Sequence, residues 1–224
     1  MHEKKITAAH YDIIASLFDY PEKDFAVNVK ITQQYLNQFY PEAAEKLKPF
    51  TGYILKATLS EKEELFTRSF DVQSITTLDI GYVLFGDDYK RAEILVNFNR
   101  EHKDANNDCG NELADHLPNV LRLISKMSNR QLVEELAEKI IGPAVFKMKG
   151  EFAEEKINKK NKVYQKHHKT IIEVSKQYGT LYQCALEALY RVLQDDFGIK
   201  EPVKSKQTND FLNKVETEIK LEKE

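Results

Sequence analysis

Leu117, Val120, Leu121, Ile124 and Met127 stand at i, i+3, i+4, i+7 and i+10, a spacing that an α-helix gathers onto one face. Similar runs recur through most of the chain, and this periodicity constrains the fold more than any other feature. Only eight glycines and six prolines occur in 224 residues, too few to punctuate the turns of a many-stranded sheet or barrel. The expected fold class is all-α: a single-domain helical bundle over residues 1–199, followed by a highly charged tail over 200–224.

The helices can be placed from their apolar stripes and their stops. The first is expected from about Ile6 to Phe18, ended by Asp19-Tyr20-Pro21, because proline disfavours the α conformation at the residue before it. A second covers Asp24 to Phe39, and Pro41 then resets the chain. Ser60-Glu61-Lys62-Glu63 has the capping-box pattern and is expected to open a helix through Phe66 and Phe70. Asp71 to Gly86 is rich in β-branched residues and reads as a loop with short helical pieces.

A helix follows from Asp87 to His102, with Tyr89, Ala92, Leu95, Val96 and Phe98 as its buried stripe. Lys103 to Asn111 is the clearest loop. After the Leu117 stripe, Ser128 to Gln131 is a second capping-box pattern, starting a helix that ends near Gly142-Pro143. Two long helices fill Ala144 to Phe197 with a break near Gly179, and Gly198 is placed as a C-terminal cap. In the tail, Phe211, Leu212, Val215 and Ile219 have the spacing of one amphipathic face, and the expectation is a tail that is either mobile or docked on a partner.

A net charge of −3 gives no global field toward nucleic acid. Cys109 and Cys184 are isolated, so a reducing compartment fits. No run of 18 apolar residues or secretory leader pattern is visible, so the expectation is a cytoplasmic protein with no membrane insertion. Neither common nucleotide signature, G-x-G-x-x-G or G-x-x-x-x-G-K-[ST], occurs, nor does H-E-x-x-H or C-x-x-C. His102, Cys109 and His116 are spaced by seven but lack a zinc-ligand pattern, so no metal and no cofactor is expected. The lysines around His167-His168 are interleaved with Glu151, Glu154 and Glu155 and read as a solvated helix face.

Asp115-His116 admits two readings. A carboxylate beside an imidazole suits acid–base work, but no nucleophile is recognisable nearby. Alternatively, Asp115 N-caps a helix beginning at His116 or Leu117, with Pro118 tolerated in the first turn.

Glu112-Leu113-Ala114-Asp115-His116-Leu117-Pro118, set between a polar loop and an apolar helix, resembles the signature of the nitrate reductase delta-subunit chaperones. These belong with the maturation chaperones of trimethylamine-oxide and dimethyl-sulfoxide reductases. Leu17-Phe18-Asp19-Tyr20-Pro21, Glu64 to Asp71 and Gly86 to Ala92 are similar to other segments of that family, in the same order, and together cover about Ile6 to Ile141. The chain departs in having Ala114 where relatives often have proline, and in lacking tryptophan.

The resemblance implies a non-enzymatic, all-helical chaperone, monomer or dimer. Its partner would be the catalytic molybdopterin (bis-MGD) subunit of an oxidoreductase such as a nitrate reductase-like enzyme. Binding of that subunit's N-terminal segment accompanies cofactor insertion and assembly in the family. Candidate residues for the client peptide are Phe66, Phe70, Tyr82 and Phe85 as groove aromatics, and Asp87, Asp88 and Glu112 at an acidic rim. Asp115, His116, Leu117 and Pro118 complete the set as hinge or contact. The alternative is a helical adaptor or regulator with a different protein client.

Overall fold

Aromatic and aliphatic stripes turn inward from every side onto Tyr182, and the architecture follows from this convergence. The computed structural model describes residues 8–157 and 178–201. The described elements are α1 (His10–Ala15), continued by a 3-10 turn (Ser16–Phe18), α2 (Phe25–Phe39), α3 (Pro41–Ile54), α4 (Leu59–Phe70) and α5 (Ile80–Phe85). They continue with α6 (Tyr89–Asp104), α7 (Leu117–Lys126), α8 (Arg130–Leu136), a π turn (Ala137–Ile141), α9 (Gly142–Glu151) and α10 (Tyr178–Phe197). The fold is all-α, as expected. Among the described residues the only β-type pairing is an isolated antiparallel bridge between Asp79 and His116.

α10 lies along α3 and also packs on α9, while α2 packs on α3 and α1 on α7. The buried side chains form one continuous core. At its centre the fully buried Tyr182 ring meets Phe50 at 4.9 Å and Phe70 at 4.6 Å between centroids, with Phe66 and Phe18 slightly further out. Rings tilted or set edge-on at these distances add attraction beyond the area they bury. Arg122 of α7 reaches Asp19 at 2.5 Å and Asp12 at 3.6 Å, tying α7 to the first helix and its turn.

The local chemistry departs from expectation in several places. α3 was not anticipated, because Pro41 reads as a stop. It is instead the first helical residue, where its missing N–H would have had no partner anyway. Pro49 lies inside the same helix on its exposed side, while Ala43, Ala44, Leu47, Phe50 and Ile54 fill the buried face. The capping box at α4 is Thr58 with Glu61, not Ser60 with Glu63: the Glu61 N–H donates to Thr58 Oγ1 and the Thr58 N–H to Glu61 Oε2. At α8 the cap is Asn129, whose Oδ1 accepts from the Leu132 N–H, not Ser128.

The helix from Arg130 does not stop at Gly142-Pro143. It widens through the π turn, where the Gly142 N–H bonds to the Ala137 carbonyl, and runs on into α9. Pro143 offers no N–H to a regular helix; the widened turn just before it lets the chain continue. The buried stripe of α6 is also rotated from its expected phase: Phe98 and His102 are buried, whereas Tyr89 and Val96 are 69% and 67% exposed. Gly198, at φ +66°, closes α10 as anticipated, its N–H bonded to the Gln194 carbonyl. Residues 202–224 and His167-His168 lie outside the described residues, as does the expected helix start at Ile6.

Candidate functional site

Three helix starts meet where the loop after α4 passes the loop after α6. The Ile80 N–H donates to the Asp115 carbonyl at 3.0 Å, and the Leu117 N–H donates to the Leu78 carbonyl at 2.9 Å. This short antiparallel bridge fixes α5 and α7 against each other. Gly86, at φ +63° and ψ −138°, then turns the chain from α5 into α6 through a conformation that side chains rarely adopt. Asp88 caps α6, its Oδ1 accepting from the Lys90 N–H at 3.0 Å.

Asp115 is fully buried at the centre of this junction. It does not cap α7. The N-cap position is His116, without a side-chain cap bond, and Asp115 instead accepts from the Gly81 N–H at 3.1 Å. Its other oxygen, Oδ1, accepts no hydrogen bond from the described residues. Burial, reinforced by the nearby Asp79 charge, raises the Asp115 pKa above the usual carboxylate range. The Arg91 guanidinium, with Nε 3.7 Å from Oδ2, and the Gly81 N–H only partly offset that.

Around Asp115 runs a chain of polar contacts. Arg91 Nη2 bonds Asp79 at 3.2 Å, Asp79 Oδ1 lies 3.2 Å from His116 Nδ1, and His116 lies 3.9 Å from Glu112. Arg91 also stacks over the Tyr82 ring, 5.1 Å from its centroid. Among the described residues no group of three or more His, Cys, Asp or Glu is arranged to hold a metal ion.

The expected site residues divide into two sets. Tyr82, Asp87, Asp88 and Glu112 lie exposed around the junction, Phe85 is half-buried, and His116 is half-buried within the polar chain. Phe66 and Phe70, by contrast, are core residues packed against Tyr182, and Leu117 and Pro118 are buried at the start of α7. All four are buried among the described residues. Their apolar side chains serve the aromatic centre and the α7 stripe. Arg91, Asp79 and Gly81 were not singled out in the sequence, although Arg91 belongs to the Gly86–Ala92 segment. Arg91 had no visible partner there, since Asp79 and Asp115 lie 12 and 24 residues away.

No family model matches this chain, and no curated protein does. The geometry therefore stands by itself.

The loop between α6 and α7 is held by a second polar set. Buried His102 bonds the Ala114 carbonyl through Nε2 at 2.9 Å and Asn107 Nδ2 through Nδ1 at 2.9 Å. Asn119 of α7 donates to the Cys109 and Leu113 carbonyls, both at 3.2 Å. Burial lowers the His102 pKa, which favours the neutral ring with Nε2–H donating. His102 and His116 thus have structural partners of their own. A loop that reads as unstructured polar sequence is bonded internally from both ends.

A third polar set, on the far ends of the chain, left no signal in the sequence. Asp196 of α10 accepts from His10 Nε2 at 2.7 Å, from the Tyr11 hydroxyl at 2.9 Å and from the Tyr40 hydroxyl at 2.8 Å.

Proposed function

We propose that the chain is a maturation chaperone that binds the N-terminal segment of the catalytic subunit of a molybdopterin oxidoreductase and assists cofactor insertion and assembly. The observation that carries this reading is the pairing in space of the segments that resemble the chaperone family. Arg91, in Gly86–Ala92, lies against Asp115, in Glu112–Pro118. Tyr20, in Leu17–Pro21, packs edge-on at 5.4 Å against Phe66, in Glu64–Asp71. Segments far apart in sequence that pack in pairs belong to one structural unit, as a single chaperone domain requires.

The surface beside the junction suits such a client. Tyr82 and Tyr89 are exposed aromatics, and Asp87, Asp88 and Glu112 are exposed acids around them. An amphipathic helix with basic flanks would lay its apolar face on the rings and its cations on the carboxylates. The test is calorimetry with a peptide copied from the N-terminus of the cognate catalytic subunit, together with co-purification of the whole subunit. Binding weakened at least about tenfold by combined Tyr82→Ala, Asp87→Asn and Asp88→Asn is the expected result, a loss of about 1.4 kcal/mol. Absence of binding to both peptide and subunit overturns the reading, and leaves a helical adaptor with another client.

A further inference from the structure

α6 is the least covered of the long helices. Between it and the α8–π stretch lies a cleft of about 350 Å³, floored by Ile94 and Phe98 on one side and by Leu132, Leu136 and Ile140 on the other. Its rims are mixed in charge: Arg100 and Glu101 stand on α6, and Glu135 and Lys139 stand opposite. The π turn contributes Lys139 and Ile140, so the widened helix forms part of the wall.

The described chain passes the end of the π turn and ends on α9. Ile199 sits where a side chain at Gly142 would stand, its Cδ1 being 2.7 Å from the position of a Cβ there. Glu201 bonds Lys149 Nζ at 3.3 Å. Lys149, beside which the described chain ends, lies thirteen residues after Leu136, about 20 Å along the helix axis. Residues 202–210 span up to about 30 Å when extended, beyond that distance. Beyond them Phe211, Leu212, Val215 and Ile219 have the sequence spacing that a helix would gather onto one face, with Lys214, Glu216 and Glu218 among them.

We infer that the chain's own segment 211–219 occupies the α6–α8 cleft. Its apolar face matches an apolar floor. Its Lys214, Glu216 and Glu218 meet rims that each carry one cation and one anion, so both signs find a partner. The short tether holds the segment at an effective concentration in the millimolar range, which lets even a weak contact be occupied within one molecule. The docked segment covers Ile94, Phe98, Leu136 and Ile140.

The chain contains no tryptophan, so Phe211→Trp in the full-length protein places a single reporter on the segment. Docking in the cleft predicts blue-shifted emission, protected from iodide and independent of protein concentration. Adding Leu136→Ser and Ile140→Ser, with helical content checked by circular dichroism, is expected to shift the emission to that of solvent-exposed indole. If that pair melts the domain, a nitroxide on Glu135→Cys decides instead, because it quenches a tryptophan seated between the rims. Solvent-like emission in Phe211→Trp alone overturns the inference. So does protection that survives the cleft substitutions in a folded protein, or a nitroxide at position 135 that leaves the emission unchanged. Protection that grows with protein concentration overturns it too, and assigns the cleft to a second copy.

Discussion

Two of the described aspartates have buried side chains and are built in opposite ways. Asp196 is satisfied on both oxygens, with His10 and Tyr11 on Oδ2 and Tyr40 on Oδ1. Asp115 has one backbone donor on Oδ2 and none among the described residues on Oδ1. Burial pushes both carboxyls upward. At Asp196 the donors from His10, Tyr40 and Tyr11 outweigh burial, and the net pKa falls below the usual range. At Asp115 burial and the Asp79 charge prevail, and the pKa rises. Burial alone therefore does not set the state of a carboxylate; the number and kind of its donors does. The first site resembles a structural clasp joining α1, α2's end and α10. The second keeps unspent hydrogen-bonding capacity beside an exposed acidic and aromatic surface.

The largest effect is expected where the clasp is cut. Asp196→Ala leaves buried His10, Tyr11 and Tyr40 donors without their shared acceptor, a loss on the order of 3 kcal/mol by urea unfolding. Asp115→Ala strands chiefly the Gly81 N–H, and about 1–2 kcal/mol is expected. Equal losses would break the comparison. Comparable in size is Gly81→Ala. A Cβ there would stand 2.6 Å from Asp115 Oδ2, so one of the two must move. A cost of about 2 kcal/mol is expected, together with weaker client binding if the junction positions the binding face. Unchanged stability would mean that Asp115 has a free alternative position, and that the junction is not the fixed point described above.

The contrast between the two sites was only half legible in the sequence. Asp115 could be found because it sits in a recognisable segment between a polar loop and a strong apolar stripe. What it does there could not, since its partner is the backbone of Gly81, 34 residues away, and backbone partners carry no sequence signal. The Asp196 clasp joins residues 186 positions apart, and none of its four side chains lies in a periodic pattern that would have marked it. Helices were legible wherever their apolar spacing was uninterrupted, as in α7. They were missed or cut short where proline was read as a stop, as at Pro41 and Pro143, because a proline is silent about whether the N–H it lacks was needed. Phe66 and Phe70 show the same limit in another form: an aromatic pair at helical spacing looks alike whether it faces a groove or the core.

Acid titration sharpens the comparison because the two aspartates contribute with opposite signs. The lowered pKa of Asp196 means that the folded state holds its proton less tightly than the unfolded chain. Its stabilisation is present above about pH 4 and lost as pH falls through the folded pKa. The raised pKa of Asp115 means the reverse: stability is gained as pH falls through that raised value toward about 4. Urea midpoints followed from about pH 3 to pH 7 should therefore show a shallower acid loss in Asp196→Asn and a steeper one in Asp115→Asn. His102 acts in a separate window. Its lowered pKa makes the folded state reject a proton that the unfolded chain accepts below about pH 6.5, so stability declines as pH falls from there. His102→Gln removes that decline without altering the difference between the two aspartate variants.

The smallest effect is expected for Asp115→Asn at neutral pH, and it discriminates most finely. Asparagine keeps an oxygen to accept from the Gly81 N–H, and its amide nitrogen takes the place of an oxygen that accepts no bond. The substitution removes the cost of a buried charge and the repulsion from Asp79, and forfeits the attraction to Arg91. Opposed contributions of this kind should leave stability within about 1 kcal/mol of the parent. The same exchange at Asp196 replaces an oxygen that accepts hydrogen bonds with a donor, and turns charge-assisted bonds into neutral ones. A loss of about 2 kcal/mol is expected there. Chemical denaturation of the two asparagine variants side by side measures the difference. If Asp115→Asn is as damaging as Asp196→Asn, the Asp115 charge is itself holding the junction together, and the spare capacity assigned to Oδ1 is already in use.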